Sequence, residues 1–139
     1  MDQFRLSHFS LDKLKNVHPD LIKVVKLAIT LTDTDFSVIS GVRDLEKQSE
    51  FLKNGTTKTL NSRHLTGHAV DLMPYTKDGV SIIGKTLNQK ENWHYFVSVA
   101  DAMKKAANQL IVDLIWGGNW KTIIDGYHFE LSWKNYPLK

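Results

Sequence analysis

The feature that most limits the possible folds is a long amphipathic segment followed directly by two short β-type runs. The segment "ENWHYFVSVADAMKKAANQL", residues 91–110, repeats apolar side chains every three or four positions, as the buried face of a helix requires. The runs "IVDLIW" and "GYHFELSW" follow it and are separated by the Gly-rich turn "GGNWKTIID", so we predict strand, turn, strand. Strands this close in sequence can pair as hairpins. We therefore predict an α+β fold with a small antiparallel sheet packed against helices.

The N-terminal half predicts more elements of the same kind. Helical spacing runs through "SLDKLKNVHPDLIKVVKLAITL", where Ser10 can cap a short first turn and Pro19 suits a first helical residue. The run "DFSVISG" indicates a short strand, and "DLEKQSEFLKNG" indicates a helix capped by Asp44 and closed by Gly55. After the polar loop "TTKTLNSRHLTG", the run "HAVDLMP" predicts a strand that ends at Pro74.

Composition indicates one globular domain, residues 1–139. Hydrophobic residues make up 42% of the chain and charged residues 24%, and no low-complexity linker divides it. The chain has no cysteine, which excludes disulfides and thiolate metal sites. Any bound zinc must therefore be held by histidine and carboxylate side chains.

The charge pattern bears on partners and on location. The formal net charge is +3, but the lysines are scattered and form no basic stripe with aromatics, so we do not expect a nucleic-acid partner. No stretch is apolar and long enough for membrane insertion, and the N-terminus lacks the pattern of an export signal. We therefore expect synthesis into the cytoplasm.

The stretch "SRHLTGHAVDL", residues 62–72, carries the first candidate site. His64 and His68 are four residues apart and would share one face of a helix, but Gly67 lies between them and the run after it alternates like a strand. Helical pairing of the two histidines is therefore rejected. If the strand begins near His68, Asp71 points to the opposite face from His68 and can converge with His64.

The C-terminal stretch "DGYHFEL", residues 125–131, supplies the third ligand that a zinc site needs. His128 and Glu130 are two apart and share one face of a strand, while Asp125 precedes a glycine that permits a sharp turn. The set His64, Asp71 and His128 would make a two-histidine, one-carboxylate site. Asp125 would then be free to act as a base on metal-bound water.

Together these motifs resemble those of the zinc D-alanyl-D-alanine and L-alanyl-D-glutamate peptidases. "SRHLTGHAVD" is similar to the family signature Ser-x-His-x-x-Gly-x-Ala-x-Asp, and "DGYHFEL" to its acidic-x-x-His motif. "GVRDLEKQSEFLKNG" carries Arg43 and Gln48 where the family has its Arg and Gln, and "WGGNW" resembles its Gly-rich turn. The resemblance extends over roughly residues 17 to 131 and is closest to the short, single-domain phage endolysins.

The resemblance implies a fold like that of the D-Ala-D-Ala peptidases and the hedgehog domain, and a role for each matched residue. His64, Asp71 and His128 would bind Zn²⁺, Asp125 would be the general base and acid, and Arg43 would stabilise the oxyanion. Many relatives have Glu at the position of Asp125, and its shorter side chain is a departure from that pattern. Gln48 and Ser62 are weaker candidates for substrate contacts.

Other interpretations of the same residues remain open. Asp71 could form a salt bridge with Arg63, and Asp125 could cap the turn at Gly126. Arg43 could pair with acidic neighbours at a helix start, namely Asp44 or Glu46. Glu130 is expected to accept the other N–H of a ligand histidine, and its use as the base is the main rival assignment. His68 is expected to lie off the metal, and Trp116, Trp120 and Trp133 are expected to pack, with one of them bordering the substrate groove.

The function that follows is a zinc metallopeptidase of the bacterial wall. We expect an L-alanyl-D-glutamate endopeptidase that acts on the peptidoglycan stem peptide as a phage endolysin, monomeric and without a separate wall-binding domain. It would stay in the host cytoplasm until lysis and then reach the periplasm and cell wall. The alternatives are a D-alanyl-D-alanine carboxypeptidase or dipeptidase of the same fold, and a zinc-containing wall-binding module without catalysis.

Overall fold

A computed structural model describes residues 3–43, 63–79, 90–121 and 124–137. The helices are α1 (His8–Lys13), α2 (Pro19–Leu31) and α3 (Lys90–Leu110). The strands are β1 (Phe36–Ser40), β2 (Ala69–Pro74), β3 (Leu114–Trp116) and β4 (His128–Leu131). They form one antiparallel sheet in the order β1-β2-β4-β3, with single 3₁₀ turns at Arg63–Thr66 and Gly117–Asn119. The predicted α+β fold with a small antiparallel sheet is confirmed. The predicted helix between Asp44 and Gly55 lies outside the described residues.

The hydrophobic core lies between one face of the sheet and the helices α2 and α3. Side chains of alternate strand positions enter it, so that Val70 and Leu72 of β2 meet Phe129 and Leu131 of β4. The helices contribute the apolar faces that their periodicity predicted, with the following residues buried: Leu21, Val24, Val25, Ala28 and Ile29 in α2, and Phe96, Val99, Ala100, Met103, Ala106 and Ala107 in α3. The intervening strand positions, including Asp71, His128 and Glu130, are therefore left for the opposite face.

The first helix begins earlier than predicted. Ser7, not Ser10, is the N-cap of α1, and its Oγ accepts a hydrogen bond from the Ser10 N–H at 3.1 Å. Ser10 lies inside the helix, fully buried, where its Oγ accepts from the Val38 N–H of β1 at 2.9 Å. The prediction was wrong because this hydroxyl is used for a tertiary contact that local sequence does not reveal.

The strand after α3 is shorter than predicted. It begins at Leu114, because Ile111 adopts the left-handed conformation with φ of 58° and ends the helix. β-branched residues rarely adopt that conformation, so the pattern gave no signal of it. Within the described part of the chain, no helix is both long and apolar enough to cross a membrane.

Candidate metal centre

The pairing of β2 with β4 brings the first two candidate ligands together. Asp71 and His128 are directly opposite one another in the antiparallel register. Directly opposite side chains share one face of a sheet and lie within reach of each other. The Asp71 Oδ1 and His128 Nδ1 atoms are 3.3 Å apart.

His64 reaches the same carboxylate from the 3₁₀ turn before β2. Gly67, with φ of 77°, turns the chain from that segment into the strand, as a residue without Cβ can do at no steric cost. The His64 Nε2 atom lies 3.3 Å from Asp71 Oδ1, and its Nδ1 atom lies 2.8 Å from the Gly41 carbonyl oxygen. A carbonyl only accepts, so Nδ1 carries a hydrogen, and Nε2 is the ring atom that faces Asp71.

The three side chains fit a zinc ion in number, type and spacing. One ligand atom from each of His64, Asp71 and His128 lies within 4.8 Å of the others, and His64 is only 2% exposed. Among the described residues, Asp71 Oδ1 is buried and accepts no hydrogen bond with acceptable geometry, although two ring nitrogens lie 3.3 Å away. Ligand atoms at tetrahedral angles and about 2.0–2.1 Å from a zinc ion are about 3.3–3.4 Å apart. The two spacings between Asp71 and the histidine nitrogens therefore fit atoms that share a cation.

Glu130 contacts the far side of the His128 ring. Its Oε1 atom lies 2.8 Å from His128 Nε2, and the Glu130 side chain is buried. A carboxylate at this position accepts a hydrogen bond from Nε2–H, so that Nδ1 is the ring atom that would be available to a metal. The geometry matches the expected contact between Glu130 and a ligand histidine.

Without metal, the pKa values of two side chains in this cluster lie far from their ordinary values. Burial acts to raise the pKa of Asp71, but the charges of His64 and His128 and their close approach hold it well below its ordinary value. Burial acts to lower the pKa of His128, but Asp71 and Glu130 more than offset this and raise it to about 9. Without metal, a positive charge on His128 is therefore stabilised between two carboxylates.

Arg43 lies against the opposite oxygen of Asp71. Its Nη2 atom is 3.5 Å from Asp71 Oδ2 and donates to Ser40 Oγ at 3.4 Å, and its side chain is 11% exposed. Its backbone N–H donates to the His64 carbonyl at 3.0 Å, which fixes it beside the ligand turn. The alternative partners Asp44 and Glu46 lie outside the described residues.

Asp125 lies in the loop before β4, held at both ends. Its N–H donates to the Gly117 carbonyl at 3.0 Å, and its Oδ1 accepts from the Tyr127 N–H at 3.2 Å. Burial and the negative charge of Asp71 raise the pKa of Asp125 above its ordinary value, while His128 partly counters them. Asp125 thus makes the turn contact of the alternative interpretation and also interacts electrostatically with the three-residue cluster.

Comparisons with known proteins give the family. The family model of the phage L-alanyl-D-glutamate peptidases matches residues 2–134. The chain belongs to this family.

Three relatives extend the comparison. The L-alanyl-D-glutamate peptidase of Escherichia phage T5 is 30% identical, with 96% of this chain and 93% of that protein covered. The peptidoglycan L-alanyl-D-glutamate endopeptidase CwlK of Bacillus subtilis is 30% identical over 77% of this chain and 66% of its own length. The crystal structure of the Serratia marcescens L-Ala D-Glu endopeptidase ChiX superimposes with a TM-score of 0.85 at 38% identity, covering 99% of this chain and 96% of that one.

The structure places some of the other candidate residues, while others lie outside its described part. Gln48 and Ser62 lie outside the described residues. Arg63 does not pair with Asp71, since its guanidinium points to backbone carbonyls near the end of the chain. Trp120 is the tryptophan beside the candidate centre, with its ring 5.1 Å from that of His128.

Sequence patterns do not indicate the role of Gly41, whose carbonyl orients His64. A backbone acceptor carries no side-chain signal. The structure gives a steric reason for glycine at this position. A Cβ at Gly41 would lie 2.0 Å from the Lys13 carbonyl oxygen of α1, so only glycine permits this approach.

Proposed function

We propose that this family member is a zinc-dependent endopeptidase that cleaves the L-alanyl-D-glutamate bond of the peptidoglycan stem peptide. The observation that carries the proposal is the convergence of His64, Asp71 and His128 beside Arg43, with a nitrogen of each histidine 3.3 Å from Asp71 Oδ1. The activities by which the T5, Bacillus and Serratia relatives are named support the choice of bond.

His64 Nε2, His128 Nδ1 and Asp71 would hold the ion. When bound, zinc would act as a Lewis acid on the scissile carbonyl and make water a stronger nucleophile at neutral pH. Glu130 keeps the His128 ring oriented, and the Gly41 carbonyl does the same for His64.

Asp125 would move the proton. It takes one proton from the attacking water as the oxygen bonds to the alanine carbonyl carbon, and it gives that proton to the D-glutamate nitrogen as the C–N bond breaks. The raised pKa of Asp125 supports this role, because a carboxylate that holds its proton more tightly than usual is a better base.

Arg43 would stabilise the negative charge that develops on the carbonyl oxygen. Its guanidinium is partly buried beside Asp71, with its side chain 11% exposed, and cannot lose its charge at any working pH. Its planar group of donors is held in advance, which is the requirement for an electrostatic stabiliser.

We place the activity in a phage lysis cycle, with the protein made in the host cytoplasm and acting at the cell wall on its release. A monomer formed by one domain, residues 1–139, is the form we propose. The net charge of +3 would favour approach to an anionic envelope. Zinc and the stem peptide are the binding partners in this proposal, with Gln48 and Ser62 as candidate substrate contacts.

The test is digestion of purified Gram-negative sacculi, with the released fragments identified by mass spectrometry. We expect L-alanine carboxyl termini on the glycan and free peptides that begin with D-glutamate. Release of D-alanine alone would instead identify a carboxypeptidase of the same fold. Binding to sacculi without any release, by a metal-loaded protein, would identify a non-catalytic wall-binding module.

A further inference from the structure

Arg63 connects the two chain segments that carry the candidate histidine ligands. It precedes His64 in the 3₁₀ turn, and its Nη2 atom donates to the carbonyls of Leu131 at 3.0 Å and Ser132 at 3.2 Å, at and just past the end of β4. The same nitrogen donates to the Tyr136 carbonyl at 2.7 Å. One side chain thus joins the His64 turn to the strand that carries His128.

The surroundings of Arg63 are unusual for a cation. The residue is 3% exposed, and the Trp133 ring lies 4.1 Å from its Cζ atom, while Trp133 itself is 46% exposed. Its Nε and Nη1 atoms have no hydrogen-bond partner among the described residues. Removing a guanidinium from water carries a substantial free-energy cost, so its retention here calls for a specific use.

Backbone contacts reinforce the same connection. The Arg63 carbonyl accepts from the His68 N–H at 3.0 Å, and the His68 carbonyl accepts from the Leu131 N–H at 2.9 Å. The Arg63 side chain therefore closes a loop of contacts that runs from the His64 turn through His68 to Leu131. Rotation of the turn relative to β4 would break several of these contacts together.

The same contacts bear on His128. Leu131, whose carbonyl accepts from Arg63, lies on β4 three residues after His128. Glu130, which lies between them on the strand, keeps its Oε1 atom 2.8 Å from His128 Nε2. Arg63 thus bears on both histidines, on His64 through the chain and on His128 through β4.

We propose that Arg63 is a positioning residue that sets the metal affinity of the centre by fixing the His64 turn against β4. This inference rests on the proposed metal centre, and it assigns Arg63 no contact with substrate. Its action is to keep His64 Nε2 and His128 Nδ1 at the spacing that a shared ion requires. A small displacement of either nitrogen would weaken the metal site while leaving the hydrophobic core intact.

The test compares metal affinity with stability in matched variants. Arg63→Met removes the charge and the donors at similar length, and Arg63→Lys keeps a charge whose ammonium is shorter in reach. The control is Val24→Ala in α2, which opens a cavity in the core and lowers stability without touching the sheet face that carries the centre. For each protein, Zn²⁺ affinity is measured by competition with a chromophoric chelator, the Co²⁺ absorption spectrum is recorded, and stability is measured by urea denaturation.

We expect Arg63→Met to weaken Zn²⁺ binding by roughly 10–100-fold, the range typical of outer contacts to metal ligands, and to alter the Co²⁺ spectrum. Arg63→Lys should recover part of the affinity, and Val24→Ala should bind Zn²⁺ as the unmodified protein does. Unchanged affinity and spectrum in Arg63→Met, or in Arg63→Lys if Arg63→Met does not fold, with only stability lowered, would overturn the inference. An unmodified protein that binds no metal would instead refute the proposed metal centre, so the two failures are distinct.

Discussion

At the scale of single residues, Asp125, which we propose moves a proton, is distinct from the residues that we propose hold the metal. Asp125→Asn keeps an oxygen that can accept from the Tyr127 N–H, as Asp125 Oδ1 does at 3.2 Å, but it cannot act as a base. We expect peptide cleavage to fall by at least about 100-fold while the bound zinc remains at one equivalent. Fragment release and metal content measured on the same sample check this.

His128→Ala is the matched comparison for that prediction. It removes Nδ1, one of the proposed ligand atoms, so metal and activity should be lost together. An Asp125→Asn protein that still cleaves at the original rate would show that another group takes the proton.

Glu130→Gln distinguishes the two candidate roles of Glu130, which are to orient His128 and to act as the base. The amide oxygen can still accept from His128 Nε2, but the charge is gone, so zinc affinity should fall about 10-fold. At saturating zinc, most of the activity should return. Loss of activity that persists at saturating zinc would assign the proton transfer to Glu130.

At the scale of elements, the site depends on a few backbone positions that only glycine permits. Gly67 has φ of 77°, and a Cβ there would lie 2.7 Å from the Asn16 carbonyl oxygen. We expect Gly67→Ala to lower the free energy of unfolding by about 1–3 kcal/mol and to weaken metal binding, because it displaces the turn that carries His64. Urea denaturation and zinc titration of the variant measure both effects.

Gly79→Ala provides the control for the Gly67 variant. Gly79 also has a positive φ, at 78°, but a Cβ there would meet no atom within 4 Å. Gly79→Ala should therefore lower the free energy of unfolding only by the cost of holding alanine at a positive φ. It should bind zinc as the unmodified protein does. Equal zinc affinity in the two variants would contradict the role given to the Gly67 turn.

Local patterns predicted the elements that carry the site, but not the contacts between them. The alternation of "HAVDLMP" predicted that Asp71 and His68 point to opposite faces, and that of "GYHFELSW" predicted that His128 and Glu130 share one face. The register of the two strands then brings Asp71 opposite His128. The contacts of the Ser10 hydroxyl and of the Gly41 carbonyl depend on tertiary packing, which leaves no periodic signal in a single sequence. Ile111 follows the end of α3 in a conformation that β-branched residues rarely adopt. Arg63 was considered only as a partner for Asp71, because charge alone suggests ion pairs and not carbonyl acceptors.

At the scale of the whole molecule, the metal-free protein should have a distinctive pH dependence. The pKa of His128 is raised to about 9 in the folded chain, above the ordinary value of 6.5, so its contribution is full below about pH 6.5 and is lost as pH rises through 9. We expect the denaturation midpoint of the chelated protein to fall between pH 7 and 9.5. The zinc-loaded protein, in which His128 is already neutral, should lose less over the same interval.

Comparison of the metal-stripped protein with metal-stripped His128→Gln isolates the contribution of His128 to the pH dependence of stability. The variant cannot carry the charge, so its decline with rising pH should be smaller. Equal slopes in the two chelated proteins would show that His128 is not the titrating group.

The most direct test is whether added zinc restores cleavage to protein from which a chelator has removed the metal. Protein stripped of metal is titrated with Zn²⁺ while release of L-alanine-terminated glycan and D-glutamate-terminated peptide is followed by mass spectrometry. The account predicts no release without metal and a linear return of activity that saturates at one zinc per chain, with no return in His128→Ala. Full release by the stripped protein, or saturation that requires no intact His128, would contradict the central claim that His64, Asp71 and His128 hold the metal that makes this chain a peptidase.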